Sequence, residues 1–128
     1  PFASDQRIRI PSTGRYYYPD ASVVCPPFQL DADDDLSIVN PRLIAEVLSP
    51  ANEAFDRGEK FIACRSLASL TNYLLLSQHE PRVEHYAREA DGAWRLVTAN
   101  AGERLAIASL EIELLVDELY AGLDGVAG

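Results

Sequence analysis

Prolines close the apolar runs of this chain before those runs reach the length of a long helix. The run from Ala21 to Cys25 ends at Pro26-Pro27, and the run from Arg42 to Ser49 ends at Pro50. Proline lacks the amide hydrogen that a helix interior or a central strand needs, so it marks the ends of such elements. These short runs, rich in Val, Ile and Leu, are therefore predicted to be buried strands.

The other segments predict a mixture of helix and strand. A helical pattern spans Glu53 to about Ser66, with Asn52 as its N-cap and with Gly58 explained by close packing. Further strands are expected at 6–10, 72–77, 83–88 and 94–98, a loop at 28–41, a hairpin turn at 91–92 and a terminal helix at 116–123. This order predicts an α/β or α+β fold around one mixed sheet. The length of 128 residues predicts a single domain over residues 1–128.

The charge of the chain argues mildly against tight binding of DNA. The net charge is −9, with ten arginines and a single lysine, Lys60. Proteins that hold nucleic acid through its phosphates usually carry basic patches, although local arginine clusters remain possible here. The acidic segment Asp31, Asp33, Asp34 and Asp35 is expected to be a solvated loop.

Several classes of protein do not fit this composition. No stretch approaches the roughly 20 apolar residues of a membrane span, and no secretory leader is visible. Cys25 and Cys64 are expected to be reduced, packed thiols of a cytoplasmic protein rather than a disulfide or a zinc site. His79 and His85 are interpreted as surface or packing residues. The start at Pro1 and the lack of methionine suggest that an amino-terminal segment is missing.

Two carboxylates interrupt apolar strands and are candidate metal ligands. Asp20 precedes the run that ends at Cys25, and Glu46 lies inside the following strand. A buried carboxylate needs a partner, because its desolvation alone costs several kcal/mol. Neighbouring strands lie about 4.8 Å apart, so the two carboxylates can face one Mg²⁺ or Mn²⁺ ion. The backbone carbonyl of Val47 is a candidate third oxygen.

Lys60 is the third candidate, on the helix that follows the Glu46 strand. Asp56 precedes it by one helical turn and therefore lies on the same face. A lysine near a metal-bound water can stabilise the developing hydroxide or the charged transition state. A metal, paired acids and a lysine together describe hydrolysis of a phosphodiester.

Each candidate also has an ordinary structural explanation. Asp20 can cap a turn after a proline. Glu46 can be a core acid paired with an arginine such as Arg42 or Arg65. The helical Asp–Lys pair can be a surface ion pair, which is typically worth less than about 1 kcal/mol.

Four stretches of the sequence resemble the Uma-two family of restriction-endonuclease-like proteins, which are abundant in bacteria. These stretches are Tyr18-Pro-Asp-Ala-Ser-Val-Val, Ile44-Ala-Glu-Val-Leu-Ser-Pro, Asp56-Arg-Gly-Glu-Lys-Phe and Leu70-Thr-Asn-Tyr-Leu-Leu-Leu. The later Val83-Glu-His-Tyr-Ala-Arg, Gly92-Ala-Trp-Arg-Leu and Leu119-Tyr120 are similar too, so that the resemblance extends over nearly the whole chain.

The resemblance implies membership of the PD-(D/E)xK superfamily, with a mixed sheet flanked by helices and with magnesium held at Asp20 and Glu46. The superfamily usually places its lysine two residues after the second acid, where this chain has Leu48. In this family the role has moved to the following helix, where Lys60 matches it. Asp56 would orient Lys60 or a water without contacting the metal itself.

Three differences from the family also bear on the predictions. Ala51-Asn52 stands where the family has Ser or Thr, and Cys64 where it has tyrosine. Members also begin with a helix and a hairpin that this chain lacks, which would leave apolar surface exposed. We therefore expect a homodimer or another form of self-association.

The sequence predicts a Mg²⁺-dependent endonuclease that cleaves DNA, with catalytic residues Asp20, Glu46 and Lys60. One alternative is a catalytically inactive module that keeps the nuclease fold and acts through self-association or binding. A second alternative is a metal-dependent hydrolase of small nucleotides, which would suit an acidic surface.

Overall fold

The fold combines three β-sheets with three short α-helices, as seen in a computed structural model that describes residues 2–3, 6–25, 27–32 and 34–123. The strands are β1 (Phe2–Ala3), β2 (Arg7–Ile10), β3 (Arg15–Tyr17), β4 (Ala21–Val23), β5 (Leu30–Asp31), β6 (Asp34–Ile38), β7 (Leu43–Val47), β8 (Asn72–Leu76), β9 (Arg82–Arg88), β10 (Trp94–Asn100), β11 (Arg104–Ile107) and β12 (Ile112–Leu115). The helices are α1 (Glu53–Arg57), α2 (Glu59–Cys64) and α3 (Val116–Leu123), with one 3-10 turn at Ala108–Leu110.

The central sheet has six strands in the order β1-β4-β7-β8-β9-β10. β7 and β8 are parallel, and the other neighbours in this sheet are antiparallel. The chain between β7 and β8 carries α1 and α2, which is the crossover that a parallel pair requires. The expected mixed sheet flanked by helices is confirmed, and the fold class is α+β.

Hydrophobic cores lie on both faces of the central sheet. On the first face, Ile44, Tyr73 and Leu75 pack against α2 and against a four-stranded sheet in the order β3-β2-β6-β5. On the second face, Leu74 and Val83 pack with residues of β11 and with the start of α3. Side chains alternate between the faces along each strand, so β8 is buried over its whole length. We call the first the α2 face and the second, which the antiparallel pair β11–β12 covers, the hairpin face.

The expectation for the segment between β4 and β7 is wrong. Residues 28–41 are not a loop, because β5 and β6 lie there and β6 pairs in parallel with β2. Ser37 and Ile38 are buried by this pairing, and the acidic residues just before them hid the strand signal. The sequence predicted a single sheet, whereas the described residues form three sheets.

The helix expected from Glu53 to Ser66 is divided at Gly58 into α1 and α2. The backbone of Gly58 has φ −109° and ψ −96°, which is outside the helical region. A Cβ at this position would lie 3.1 Å from the carbonyl oxygen of Ala54. Gly58 therefore allows the chain to change direction between Asp56 and Lys60, in addition to the close packing that was expected. Asn52 precedes α1, but its side chain accepts a hydrogen bond from the amide of Ser49 and does not cap the helix.

Other expectations are confirmed by the structure. The Asp91-Gly92 turn joins β9 to β10, with Gly92 at φ 91°, and α3 covers 116–123 as predicted. Cys25 and Cys64 are free thiols. Among the described residues, no helix has the length and apolar character required to cross a membrane.

Candidate functional site

The register of β4 and β7 brings Asp20 next to Glu46. Ala21 pairs with Ala45 at one end of this antiparallel ladder. Asp20, one residue before β4, therefore lies opposite Glu46. Oδ2 of Asp20 accepts a hydrogen bond of 2.7 Å from the backbone amide of Val47. The amide and carbonyl of one residue in a strand point to the same side. The carbonyl of Val47 therefore also points towards the Asp20 side of β7.

Lys60 reaches the same place from α2. Its Nζ lies 2.6 Å from Oε1 of Glu46 and 3.7 Å from Oδ1 of Asp56. All three side chains are buried, with relative exposures of 7% for Lys60, 5% for Glu46 and 3% for Asp56. The structure thus brings together the four side chains that the sequence singled out.

This group, which we call the carboxylate–lysine cluster, consists of Asp20, Glu46, Asp56 and Lys60. It contains three carboxyl groups and a single ammonium group, so ionisation of all four leaves an excess of negative charge. Oδ2 of Asp56 is buried without a hydrogen-bond partner among the described residues. A buried charge without a full set of partners is costly, and this cluster would therefore gain from an additional cation.

The pKa values of the cluster follow from burial and from these charges. Burial raises the pKa of Glu46 to about 7, although Lys60 opposes the shift. Burial also raises the pKa of Asp56, again against the effect of Lys60. For Lys60, burial lowers the pKa, but Glu46 and Asp56 outweigh it and the net shift is upward. Lys60 is therefore an ammonium cation at neutral pH, whereas Glu46 titrates close to neutrality.

Aromatic and thiol groups form the walls of the cluster. The ammonium of Lys60 lies 5.2 Å from the centre of the Tyr17 ring, within range of a cation–π interaction. The hydroxyl of Tyr73 donates a hydrogen bond of 2.9 Å to the backbone carbonyl of Asp56. The buried thiol of Cys64 lies one turn after Lys60, and burial raises its pKa to about 12. Largely buried side chains therefore surround the ammonium of Lys60.

Two of the ordinary structural explanations given above are wrong, and the one for Asp20 is close to what the structure shows. The partner of Glu46 is Lys60 and not an arginine: Arg42 donates to the carbonyl of Ser109, and Arg65 lies over the Phe61 ring. The helical Asp–Lys pair is buried, so it is not a surface ion pair. Asp20 does hold the backbone at the end of β7, and this structural role does not exclude a chemical one.

The side chains of the carboxylate–lysine cluster do not form a complete metal cage. Within the described parts of the chain, no three Asp, Glu, His or Cys side chains converge as ligands of one ion. Mg²⁺ does not require such a cage, because it is usually bound by one or two carboxylates and keeps several waters. The pair Asp20 and Glu46 fits this requirement, and the excess negative charge of the cluster favours a divalent cation.

The sequence reasoning missed Tyr17 as a neighbour of the cluster. The run Tyr16-Tyr17-Tyr18 precedes Pro19 and carries no charge or motif that marks it as part of a site. In the structure Tyr17 pairs with Ile8 in the second sheet, and Ile8 is completely buried. Alternation along β3 was the available signal, because it turns Tyr17 inward while Tyr16 and Tyr18 are exposed.

The fold of this chain is similar to that of a solved structure. The structure resembles the crystal structure of a putative nuclease belonging to DUF820 from Anabaena variabilis ATCC 29413, with a TM-score of 0.70. The match covers 95% of this chain and 68% of that chain at 15% sequence identity. At this identity the likeness concerns the fold alone, which is that of a nuclease-like α+β protein.

The family follows from the sequence match. The chain belongs to the Uma2 family, whose description is "putative restriction endonuclease" and whose model matches residues 1–117. The resemblance predicted from the sequence is thereby confirmed. The chain is also similar to two uncharacterized proteins of Synechocystis sp. (strain ATCC 27184 / PCC 6803 / Kazusa). It is 38% identical to slr1290 over 120 residues and 39% identical to sll1609 over 106 residues.

These relatives are longer than this chain. The matches cover 94% and 83% of this chain, but 62% and 59% of the two cyanobacterial proteins. The chain thus spans about three fifths of the length of these relatives.

Proposed function

We propose that this chain is a metal-dependent endonuclease that hydrolyses phosphodiester bonds of DNA at the carboxylate–lysine cluster. The observation that carries the proposal is the convergence of Glu46 and Asp56 on Lys60, at 2.6 Å and 3.7 Å, with Asp20 beside Glu46 on the neighbouring strand. Membership of the Uma2 family supports the choice of a phosphodiester substrate.

In this proposal Asp20, Glu46 and the carbonyl of Val47 hold Mg²⁺ or Mn²⁺. When bound, such an ion lowers the pKa of a coordinated water and offsets charge on the phosphate oxygens. A carboxylate has two oxygens and about four acceptor positions. Glu46 can therefore retain its contact with Lys60 through Oε1 while its other oxygen is used as a ligand.

Lys60 acts as a cation in this proposal and not as a general base. Hydrolysis joins a water oxygen to phosphorus, breaks one P–O bond and increases the negative charge on the phosphate in the transition state. An ammonium fixed at that place stabilises the developing charge, and it acts strongly because the buried side chain of Lys60 is little screened by bulk solvent. The raised pKa of Lys60 keeps it protonated. Asp56 holds the ammonium in position from the side of α1.

The test combines metal binding with cleavage in the same samples. Calorimetry with Mg²⁺ or Mn²⁺ and nicking of supercoiled plasmid are compared for wild type, Asp20→Asn, Glu46→Gln and Lys60→Met. We expect the two carboxylate variants to lose both metal binding and nicking, and Lys60→Met to lose nicking while it still binds metal. Glu59→Gln is the matched control, because Glu59 adjoins Lys60 but is 63% exposed and pairs with Arg15.

Two outcomes would overturn the proposal. A folded wild-type protein that binds neither metal would support a binding module with the nuclease fold. Metal-dependent cleavage of dinucleotides without nicking of plasmid would support a hydrolase of small nucleotides.

A further inference from the structure

A second candidate site lies on the hairpin face of the central sheet, on the opposite side from the carboxylate–lysine cluster. A cavity of about 370 Å³ opens there between β8, β9, β10 and the segment from β11 to the 3-10 turn. Alternation along β8 directs Asn72 and Leu74 to this face, whereas Tyr73 and Leu75 point to the α2 face. The volume falls in the range of sites for small organic ligands.

Buried polar groups form the floor of this cavity. Asn72 is 2% exposed and His85 is 4% exposed. Nε2 of His85 lies 2.9 Å from Oδ1 of Asn72, and Nδ2 of Asn72 donates to the hydroxyl of Ser109 at 2.7 Å. The hydroxyl of Thr71 lies 3.0 Å from that of Ser109. This network fixes hydrogen-bonding groups at the bottom of a cavity in the protein, an arrangement that gives a ligand a defined orientation.

The rim of the cavity is positively charged in a chain whose net charge is −9. Three of its arginines, Arg88, Arg95 and Arg104, line the cavity, against a single carboxylate, Glu89. Burial and the nearby Arg95 lower the pKa of His85, so the histidine does not add to this charge at neutral pH. The concentration of arginine indicates an anionic ligand.

Two of these arginines, Arg95 and Arg104, are available to such a ligand. Arg95 pairs with Glu89 at 2.9 Å and Arg104 with Glu113 at 3.1 Å, but both pairs are exposed to solvent. Exposed ion pairs contribute little, so an anion can replace the carboxylates as a partner. Arg88 is not available in the same way, because it donates to the backbone carbonyls of Arg65, Leu67 and Ala68 and lies over the Trp94 ring.

We propose that this cavity binds a small organic phosphate of about mononucleotide size. The guanidinium groups of Arg95 and Arg104 would bind the phosphate, since planar guanidinium matches phosphate oxygens in pairs. Apolar side chains of Val97 and Leu105, which also line the cavity, would contact the organic part of the ligand. The inference does not depend on catalysis at the carboxylate–lysine cluster, because the two sites lie on opposite faces of the sheet.

The test uses AMP, ribose 5-phosphate, adenosine and inorganic phosphate as probes, in buffer with EDTA. By calorimetry we expect both phosphomonoesters to bind more tightly than inorganic phosphate, and adenosine not to bind. Arg95→Ala with Arg104→Ala should weaken AMP binding by at least about tenfold, which corresponds to about 1.4 kcal/mol. Arg15→Ala, an exposed arginine paired with Glu59 on the opposite face, should leave it unchanged.

The two histidines of the chain give an independent measurement of where the ligand binds. We expect AMP to shift the ring signals of His85 in an NMR spectrum and not those of the exposed His79, which is assigned with a His79→Gln variant. Ala106→Phe, which places a large ring in the wall of the cavity without a change in charge, should abolish the shift. The proposal is overturned if adenosine binds as tightly as AMP, if no phosphomonoester binds, or if Arg15→Ala weakens binding as much as the paired arginine substitutions.

Discussion

The ammonium of Lys60 lies 2.6 Å from Oε1 of Glu46, and both side chains are almost completely buried. A buried ion pair of this kind is not in itself a strong source of stability, because both groups lose their hydration. The removal of one partner is nevertheless costly, since the other is left without compensation. This relationship makes the stability of the protein sensitive to changes at a site that the proposed chemistry also uses.

Lys60→Met should destabilise the protein by about 3–5 kcal/mol at pH 8, because Glu46 must then be buried either as a carboxylate without its partner or in a protonated form that is unfavourable at this pH. The loss should be smaller at pH 6, where Glu46, with a pKa of about 7 in the folded protein, is mostly protonated. Urea unfolding at the two pH values measures both effects.

The double variant Glu46→Gln with Lys60→Met provides the control for this prediction. It should be more stable at pH 8 than Lys60→Met alone, because the ionisable group at position 46 is removed, whereas Asp56 loses its contact with Lys60 in both variants. Arg104→Ala, which breaks the exposed pair with Glu113, should cost less than about 1 kcal/mol. Equal losses in Lys60→Met and Arg104→Ala would contradict the buried pair.

Metal affinity should increase as the pH rises from 6 to 8. Burial raises the pKa of the Glu46 carboxyl to about 7, so in this interval it changes from the protonated form to the carboxylate that can bind a cation. Calorimetry in two buffers of different ionisation enthalpy should show proton release on binding at pH 6 and little at pH 8. An affinity for Mg²⁺ that is flat across this interval would remove Glu46 from the proposed ligands.

Tyr73→Phe should destabilise the protein by about 1–2 kcal/mol, because it leaves the buried carbonyl of Asp56 without its hydrogen bond. Thermal or urea unfolding measures the change. Tyr86→Phe is a matched control: its ring packs in the same aromatic group beside Phe61, but its hydroxyl has no partner among the described residues. A similar loss in both variants would show that the hydrogen bond contributes little.

The two thiols should differ in reactivity. Cys64 is buried and its pKa is raised to about 12, whereas Cys25 is partly exposed. The thiolate is the reactive form, so a thiol reagent at pH 8 should label one cysteine of the folded chain and both after denaturation. A Cys25→Ser variant assigns the reactive position. Rapid labelling of that variant in the folded state would contradict the burial of Cys64.

The main strands of the central sheet could be predicted from the sequence because each is a short apolar run with a clear boundary. β7 and β8 have few polar residues, and prolines or turn residues mark their ends. The β9–β10 hairpin has the Asp91-Gly92 signal. β6 could not be predicted in this way, because its strand character depends on pairing with β2, far away in the sequence.

The family, the α+β character and the four polar residues that stand out against apolar surroundings could all be read from the sequence. The tertiary structure decided that Asp20, Glu46, Asp56 and Lys60 meet, and that Gly58 divides the helix between the last two. It also decided the arginine-lined cavity, whose residues come from four strands and a turn. Local patterns report which residues are buried, because burial follows from periodicity along one element. Contacts between elements depend on strand register and packing, which involve residues distant in sequence, and these only the folded chain defines.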